Sequence, residues 1–298
     1  MNFNNFDYTR LVKSILKLQK KHSGIEVFSA GKSVCGRDLW CIKFGTGSKK
    51  IFLNGSHHAL EWITASLLMS FSFDFLNAVK NDEKILKYNA KKIYKKCTFY
   101  ILPMVNPDGV DVVINGIIKK HPHFDDMKRM LNRENPRKVW QANINGVDLN
   151  HNYDASFYEG KAMERENGIF GAGPTRFSGE TPFSEPETIS IRDLFEREMF
   201  NLSLAFHSQG EVIYWDYQNK SKYIDMAKKL SKESGYALDE AGGISSVSGF
   251  KDWVIEKYGL PAFTIEVGKG VNPISFSQFN KVKEDNYKLI LKAASITR

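Results

Sequence analysis

The chain has 298 residues, of which 42% are hydrophobic and 26% are charged, and its formal net charge at pH 7 is +8. This balance is that of an ordinary globular protein, so it excludes wholesale disorder and allows a sizeable core. The positive charge suits nucleic acid, anionic membranes or acidic small substrates, but no zinc-finger, RNP or basic-zipper pattern is present, and we expect no nucleic-acid partner.

The N-terminal segment predicts an amphipathic helix, because residues 8–18 place apolar side chains mostly three and four positions apart. It has neither the apolar core nor the cleavage site of a signal peptide. No run of 18 or more apolar residues occurs, so we expect no transmembrane helix and no membrane partner. Three cysteines, Cys35, Cys41 and Cys97, without a CxxC motif favour a reducing compartment, and we expect a cytoplasmic protein.

Residues 25–58 predict several strands joined by glycine-containing turns. The last of them leads into the polar sequence "SHHALE", and a helix with apolar residues at helical spacing follows from Trp62 to Val79. "CTFYILPMV" is typical of a strand covered on both faces, and Asn106 to Gly109 predicts a turn. From Val110 to Gly146 the chain is polar and irregular, which predicts a long surface excursion.

The C-terminal half continues the alternation of helices and strands. Ser184 and Glu187 have the spacing of a capping box, with Pro186 in the first turn of the predicted helix. The remaining predicted elements are a strand ending at His207, a helix ending at Gly235, a strand ending at Glu266 and a helix over residues 275–294. Because there is no linker-like composition and no internal repeat, we predict one α/β domain over residues 1–298.

His58 and Glu61 stand in an H-x-x-E arrangement between a strand and a helix, which can turn an imidazole and a carboxylate toward one point. His207 ends a later strand, and strand ends are where an α/β fold gathers functional groups. A catalytic zinc site needs about three protein ligands and an open position. We therefore predict two nearby ligands and one remote ligand; a surface ion pair is the alternative, and spacing alone does not choose between His57 and His58.

Glu266 lies in a strand of Phe, Ile and Val, where an unpaired carboxylate is costly to bury. A zinc hydrolase needs a general base for the attacking water, and Glu266 stands just before Gly268 at the predicted carboxyl end of its strand. A structural salt bridge, or a bend that brings the carboxylate to solvent, explains the residue equally well.

Six segments together resemble zinc carboxypeptidases of the carboxypeptidase A type, in the order found in that family. They are "GSHHALEWIT", "NPDGV", "GVDLNHNYDASF", "SEPET", "AFHSQG" and "AFTIEVG". The resemblance runs from about Gly31 to the C-terminal region. It implies a carboxypeptidase-like fold, in which helices flank a central, mixed and mostly parallel twisted sheet.

The resemblance also implies roles for individual residues. The metal ligands would be His58, Glu61 and His207, which would hold one Zn²⁺. Glu266 would be the catalytic base, and Asp148 matches a residue that orients the first ligand histidine in the family. His57 would then be a neighbour of the metal site.

Substrate-binding positions depart from the family's usual pattern. An Asn-Arg pair that grips a C-terminal carboxylate in the family reads Asn150-His151 here, and histidine lacks the planar, permanent charge of arginine. Ile244 stands where digestive members have a tyrosine that caps the substrate. These departures argue against strict removal of ordinary C-terminal residues.

The family's carbonyl-polarising arginine often follows a tryptophan, but here Gln141 follows Trp140. Gln141 can donate a hydrogen bond without supplying a charge. Arg133 and Arg137, a little upstream, are the candidates to replace that arginine.

The segments "HSQGEVIYW" and "AGGISSVSGFKDW" look closer to bacterial γ-D-glutamyl-diamino acid peptidases, which cut stem peptides of the cell wall. This resemblance implies hydrolysis between γ-D-glutamate and a diamino acid, either meso-diaminopimelate or lysine. The substrate would be a small peptide or muropeptide, whose extra carboxylates suit a basic protein. Release to the cell wall or a spore compartment would then need a route other than an N-terminal signal.

Three alternatives remain open. Two are enzymes, a conventional metallocarboxypeptidase and a zinc-dependent N-acyl amino acid deacylase. The third is a non-catalytic peptidoglycan-peptide binder, against which the retained base and ligand set argue. The sequence does not predict the oligomeric state.

Overall fold

The computed structural model describes residues 2–240, 242–243 and 247–297. The strands are β1 (Glu26–Lys32), β2 (Asp38–Gly45), β3 (Lys49–Gly55), β4 (Lys84–Ile85), β5 (Tyr88–Asn89), β6 (Cys97–Leu102), β7 (Leu202–His207), β8 (Val212–Tyr214), β9 (Ala237–Asp239) and β10 (Ala262–Glu266). The helices are α1 (Tyr8–Lys21), α2 (Ile63–Asn81), α3 (Ala90–Lys96), α4 (Pro107–Asn115), α5 (Phe124–Leu131), α6 (Pro136–Val139), α7 (Phe157–Glu166), α8 (Pro186–Glu198), α9 (Ile224–Ser234), α10 (Phe250–Tyr258) and α11 (Phe279–Ile296).

Eight strands form one sheet in the order β1-β2-β6-β3-β7-β10-β8-β9, and β4 and β5 form a separate hairpin. The central strands β6, β3, β7 and β10 run parallel to one another. The pairs β1-β2, β2-β6 and β10-β8 are antiparallel, and β8-β9 is parallel. The predicted α/β domain with a mixed, mostly parallel sheet flanked by helices is therefore confirmed.

Apolar side chains cover both faces of the sheet, which is why its central strands read as continuous apolar runs. In β3, Ile51 and Leu53 join one apolar cluster with side chains of α1, α2 and α11, while Phe52 faces the opposite side. There Phe52 packs with Phe195 of α8 and lies in the same cluster as Trp253 of α10. Ile51 and Leu53 lie on one face and Phe52 on the other because successive side chains of a strand point to opposite faces of the sheet.

The segment Ala59–Asn81, which includes α2, is long and apolar enough to cross a membrane by length and composition alone. However, 83% of its most apolar window is buried inside the fold. Its side chains contribute much of the cluster on that face of the sheet, including Phe71 and Phe75. Such burial is typical of a helix in the core of a folded domain.

The segment from Val110 to Gly146 is not irregular, because it contains most of α4 and all of α5 and α6. The predicted turn at Asn106 is instead the start of α4: the side chain of Asn106 accepts a hydrogen bond from the Gly109 N–H at 2.9 Å, and Pro107 occupies the first helical position. The polar composition concealed α5 and α6, which are short and bury two residues and none. In α4, which buries six of its nine residues, the turn-like sequence Asn-Pro-Asp-Gly concealed the helix start.

The predicted capping box at the start of α8 is wrong. The N-cap residue is Glu185, which makes no capping hydrogen bond with its side chain, and the hydroxyl of Ser184 donates to Glu185 Oε1 at 2.9 Å. Pro186 does begin the helix, as predicted. The spacing of Ser184 and Glu187 matched the motif by coincidence.

The position of the site follows from the three parallel strands β3, β7 and β10. Parallel neighbours share one direction, so their carboxyl ends meet at one edge of the sheet. In the register of the sheet, Gly55 pairs with Phe206, and His207 pairs with Glu266. The chain that follows β3 therefore emerges beside the last residues of β7 and β10.

Glu187, in the first turn of α8, is a fully buried carboxyl group. It accepts hydrogen bonds from the Val34 N–H at 3.1 Å and from the Asn143 amide at 3.2 Å. Burial raises the pKa of Glu187 to about 8. Because the pKa in the folded protein is higher than the ordinary 4.5, the folded state binds this proton more tightly than the unfolded chain does.

We expect the wild-type protein to lose stability as the pH rises from about 5 to about 9, whereas Glu187→Gln, which cannot ionise, loses less. The difference should reach about 4 kcal/mol, since one pKa unit corresponds to about 1.4 kcal/mol. Denaturant unfolding at several pH values measures it, with Glu166→Gln, at an exposed position of α7, as the control. Equal pH dependence in the wild type and Glu187→Gln would contradict the expectation.

Candidate metal centre

The loop after β3 has a fixed shape. The Ser56 N–H donates to Thr64 Oγ1 at 2.8 Å, and the Thr64 hydroxyl donates to the Glu61 carbonyl at 2.7 Å. Residues Ala59–Glu61 form a single 3₁₀ turn that leads into α2. The turn places the side chains of His58 and Glu61 next to each other.

Three side chains that can bind a metal converge at this edge of the sheet: one ligand atom each from His58, Glu61 and His207 lie within 4.8 Å of one another. His58 Nδ1 is 3.0 Å from Glu61 Oε1, and His207 Nδ1 is 3.0 Å from Glu61 Oε2. Glu61 and His207 are buried, and His58 is partly exposed. Two imidazole nitrogens and one carboxylate form a common ligand set of catalytic zinc.

Asp148 holds His58 from the other side of the ring. Its Oδ1 lies 2.9 Å from His58 Nε2, and its carboxylate also accepts the backbone N–H groups of Asn150 at 3.2 Å and Arg176 at 3.1 Å. Burial alone would raise the pKa of Asp148, but His58, His151 and these hydrogen bonds outweigh it and hold the pKa well below its usual range. An ionised Asp148 keeps a proton on Nε2, which leaves the Nδ1 lone pair of His58 for a metal.

The cluster fits a divalent cation. Burial opposes the ionisation of Glu61, but its interactions with the His58 and His207 imidazoles lower the pKa of Glu61 to about 2. Glu61 Oε2 is buried and has no well-aligned hydrogen bond among the described residues, although His207 Nδ1 lies 3.0 Å away. A buried carboxylate between imidazole nitrogens is well satisfied by a cation that all of them can bind.

His57 takes a different position from His58. It is fully buried, its Nε2 lies 2.9 Å from the Tyr153 hydroxyl, and its ring stacks on that of His207 at 5.5 Å between centroids. Burial and the two neighbouring histidines lower the pKa of His57, so the ring is neutral. The geometry thus separates the two histidines that the spacing left open: His58 faces Glu61, and His57 packs behind His207.

Glu266 ends β10 directly beside His207 in the register of the sheet, and its side chain is only partly buried. Burial and the charge of Glu61 raise the pKa of Glu266 well above its usual range, and His58 opposes them. A carboxyl group with a raised pKa, next to a metal-binding cluster, is suited to taking up and releasing a proton near neutral pH.

One cavity of about 260 Å³ opens beside the cluster. Its lining residues are His58, Asn150, His151, Tyr214, Gly242, Gly249, Lys251, Asp252, Thr264 and Glu266. This volume is at the small end of ligand pockets and suits one amino-acid residue better than a long peptide.

Asn150 and His151, which the sequence predicts to bind substrate, both line this cavity. The side-chain oxygen of Asn150 accepts the Phe250 N–H at 3.2 Å, and in the part of the chain that the structure describes its amide NH₂ group has no acceptor, so it can donate to a ligand. The loop that carries Asp148 therefore also delivers a hydrogen-bond donor to the cavity.

Gln141, Arg133 and Arg137 do not line the cavity. The Gln141 side-chain oxygen accepts from the Thr175 hydroxyl at 2.5 Å, and Arg137 donates to the Ile114 carbonyl of α4 at 3.2 Å. Arg133 is exposed. Their roles in substrate binding stay predictions.

Sequence reasoning missed Lys251, Asp252 and Asn272. Asn272 donates to Glu61 Oε1 at 3.3 Å across 211 residues, a contact that no local pattern indicates. For Lys251 and Asp252 a signal existed: two adjacent charges stand inside "GFKDWVI", a segment otherwise apolar enough to be buried. Ile244, the proposed counterpart of a capping tyrosine, lies outside the described residues.

Known proteins resemble this chain over nearly its whole length. The sequence profile described as zinc carboxypeptidase matches residues 11–289. Gamma-D-glutamyl-L-diamino acid endopeptidase 1 of Lysinibacillus sphaericus is 36% identical over 293 residues, which is 96% of this chain and 72% of that protein.

Solved structures share the fold. Bovine thrombin-activatable fibrinolysis inhibitor, in complex with a tick carboxypeptidase inhibitor, has a TM-score of 0.73 at 16% identity, covering 97% of this chain and 96% of that one. The murein-tripeptide amidase MpaA of Escherichia coli O157 has a TM-score of 0.53 at 20% identity, covering 93% of each chain. The predicted carboxypeptidase-like fold is confirmed.

We expect Asp148→Asn to weaken zinc binding by about 10- to 100-fold, because loss of the carboxylate charge weakens the hold on the His58 ring. Competition with a chromogenic chelator measures the zinc dissociation constant. Asp125→Asn, an exposed change in α5, is the matched control. Equal zinc affinity in Asp148→Asn and the wild type would show that Asp148 does not support the metal site.

Proposed function

This chain belongs to the zinc carboxypeptidase family, and from that premise we propose that it hydrolyses the amide bond between γ-D-glutamate and a diamino acid in peptidoglycan stem peptides. The family makes the protein a zinc metallopeptidase. The choice of substrate is supported by the relative of Lysinibacillus sphaericus, whose name describes an endopeptidase for γ-D-glutamyl-L-diamino acid bonds.

The observation that carries the proposal is the polar lining of the cavity beside Glu266. Two carboxylates, a lysine, two histidines, an asparagine and a threonine contribute to it, and Tyr214 is its one large aromatic side chain among the described residues. An enzyme that removes apolar C-terminal residues would need an apolar pocket at this place. The lining favours a substrate residue that carries several charged groups, as a diamino acid of the cell wall does.

We assign the metal to His58, Glu61 and His207, whose ligand atoms already face one another. When bound there, Zn²⁺ supplies a Lewis acid that polarises the scissile carbonyl. Asp148 keeps the ring of His58 oriented through its Nε2 hydrogen bond.

The proton transfers fall to Glu266. Its carboxylate removes a proton from the water that attacks the carbonyl carbon, and then delivers that proton to the nitrogen of the leaving amine as the C–N bond breaks. The raised pKa of Glu266 suits both steps, since the group must accept and release a proton within one turnover. Asn150 and His151, at the same cavity, contact the substrate's carboxylate or carbonyl oxygens.

We expect Glu266→Gln to keep its zinc and to lower kcat by at least about 100-fold, because glutamine cannot take up the proton of the attacking water. Metal analysis and a chromatographic assay of released diamino acid measure the two quantities. Glu256→Gln serves as the control, because Glu256 lies on the exposed side of α10 and pairs with Lys220. A zinc-loaded Glu266→Gln protein with the wild-type rate would remove Glu266 from the mechanism.

A substrate panel tests the reaction itself. We expect cleavage of L-Ala-γ-D-Glu-meso-diaminopimelate, and no comparable cleavage of an ordinary peptide at its C-terminal residue or of an N-acetyl amino acid. Mass spectrometry identifies the products. Preference for the ordinary peptide would indicate a conventional carboxypeptidase, preference for the N-acetyl amino acid would indicate a deacylase, and tight binding without cleavage would indicate a binding protein.

A further inference from the structure

We propose that Asn272 is a positioning residue of the metal centre: its side-chain amide holds one carboxylate oxygen of Glu61 and leaves the other oxygen to bind the cation. This inference rests on the metal assignment made in the proposed function, and it adds to that site a residue from outside the ligand set. It does not depend on which peptide is the substrate.

Asn272 lies in the loop that follows Glu266 and leads to α11. Its Nδ2 donates to Glu61 Oε1 at 3.3 Å and to the Ser208 carbonyl oxygen at 2.5 Å. Its Oδ1 accepts the Ser208 hydroxyl at 2.8 Å. Since Ser208 directly follows His207, Asn272 contacts one proposed metal ligand and the chain neighbour of a second.

The hydrogen bonds with Ser208 determine the orientation of the Asn272 amide. A carbonyl oxygen can only accept, so the NH₂ group must be the end that faces the Ser208 carbonyl. The NH₂ group has two hydrogens, of which Ser208 takes one, and the second is directed to Glu61 Oε1. A rotation of the amide by half a turn would lose all three hydrogen bonds.

The two carboxylate oxygens of Glu61 have different surroundings. Oε1 faces Asn272 Nδ2 and lies 3.0 Å from His58 Nδ1, whereas Oε2 lies 3.0 Å from His207 Nδ1 and has no well-aligned hydrogen bond among the described residues. An imidazole nitrogen that binds a metal through its lone pair cannot donate to the carboxylate. With both imidazoles on a metal, Asn272 is the one remaining donor to Glu61 in the part of the chain that the structure describes.

A donor at this place has two effects on a metal ligand. It satisfies a buried carboxylate oxygen that has lost its contact with water. It also fixes the rotation of the carboxylate, so that Oε2 is presented to the metal and Oε1 is kept on the amide. Contacts of this kind to a metal-ligating side chain typically contribute 10- to 100-fold to metal affinity or activity.

The competing explanation is that Asn272 only fastens its own loop. Other hydrogen bonds already do so: the Gly210 N–H donates to the Gly268 carbonyl at 2.8 Å, and the Gln278 side chain bonds to the Lys269 N–H at 3.0 Å and carbonyl at 2.8 Å. The two explanations differ in their consequences. Fastening of the loop affects the stability of the fold, whereas positioning of Glu61 affects the affinity and the coordination geometry of the metal.

The first test compares Asn272→Leu, which keeps a side chain of similar size without a donor, with the wild type. We expect zinc binding to weaken by at least about tenfold, as measured by competition with a chromogenic chelator. With Co²⁺ in place of zinc, the visible absorption bands, which report coordination geometry, should shift. Asn280→Leu, at an exposed position in the first turn of α11, is the matched control and should change neither quantity.

The second test separates the two explanations with Ser208→Ala. This change removes the hydroxyl that bonds to Asn272 Oδ1 but leaves the amide donor to Glu61 in place. We expect the variant to keep the wild-type zinc affinity and Co²⁺ spectrum, even where its unfolding midpoint falls. A folded Asn272→Leu protein with wild-type zinc affinity and Co²⁺ bands would overturn the inference, as would an equal loss of zinc affinity in Ser208→Ala.

If Asn272→Leu does not fold, a crystal structure of the zinc-loaded wild type decides. Asn272 Nδ2 within hydrogen-bond distance of Glu61 Oε1, with Oε2 on the zinc, would support the inference. Both oxygens on the zinc, or Asn272 turned away from Glu61, would overturn it and leave the proposed function intact. A wild-type protein that binds no zinc at His58, Glu61 and His207 would instead overturn the metal assignment of the proposed function.

Discussion

The parallel pairing of β3, β7 and β10 is the constraint on which the site depends. It brings the residues after Gly55, the end of β7 at His207 and the end of β10 at Glu266 to one edge of the sheet, although they are far apart in the sequence. Because both faces of these strands are packed in apolar clusters, a shift of one strand by a residue would turn its core side chains to the wrong face. The core therefore fixes the register, and the register fixes the relative positions of the side chains in the candidate metal centre.

Three carboxyl groups lie close to His58, and their environments give them different properties. Asp148 and Glu61 face imidazoles, which keep their pKa values low and the groups ionised despite burial. For Glu266, burial and the charge of Glu61 outweigh the opposing effect of His58, so its pKa rises. The proposed roles of orienting His58, binding the metal and transferring a proton thus fall to three carboxyl groups in different environments.

The sequence predicted those parts of the molecule that local pattern or family resemblance encodes. The apolar runs of the central strands and the H-x-x-E spacing of His58 and Glu61 are local, and His207 and Glu266 stand at strand ends that apolar patterning locates. Lys251 and Asp252 were missed because a charged pair reads as the exposed face of a helix until its burial is known. Helices α5 and α6 were missed because they are short and bury two residues and none, so they show little hydrophobic periodicity.

Asn150 connects the two ends of the cavity. Its backbone N–H donates to Asp148, which orients His58, and its side-chain oxygen accepts from Phe250, the first residue of the helix that carries Lys251. The candidate metal centre lies at strand ends and Lys251 lies at a helix start, and Asn150 is hydrogen-bonded to both regions. The loop that carries Asp148 therefore also holds the first turn of α10.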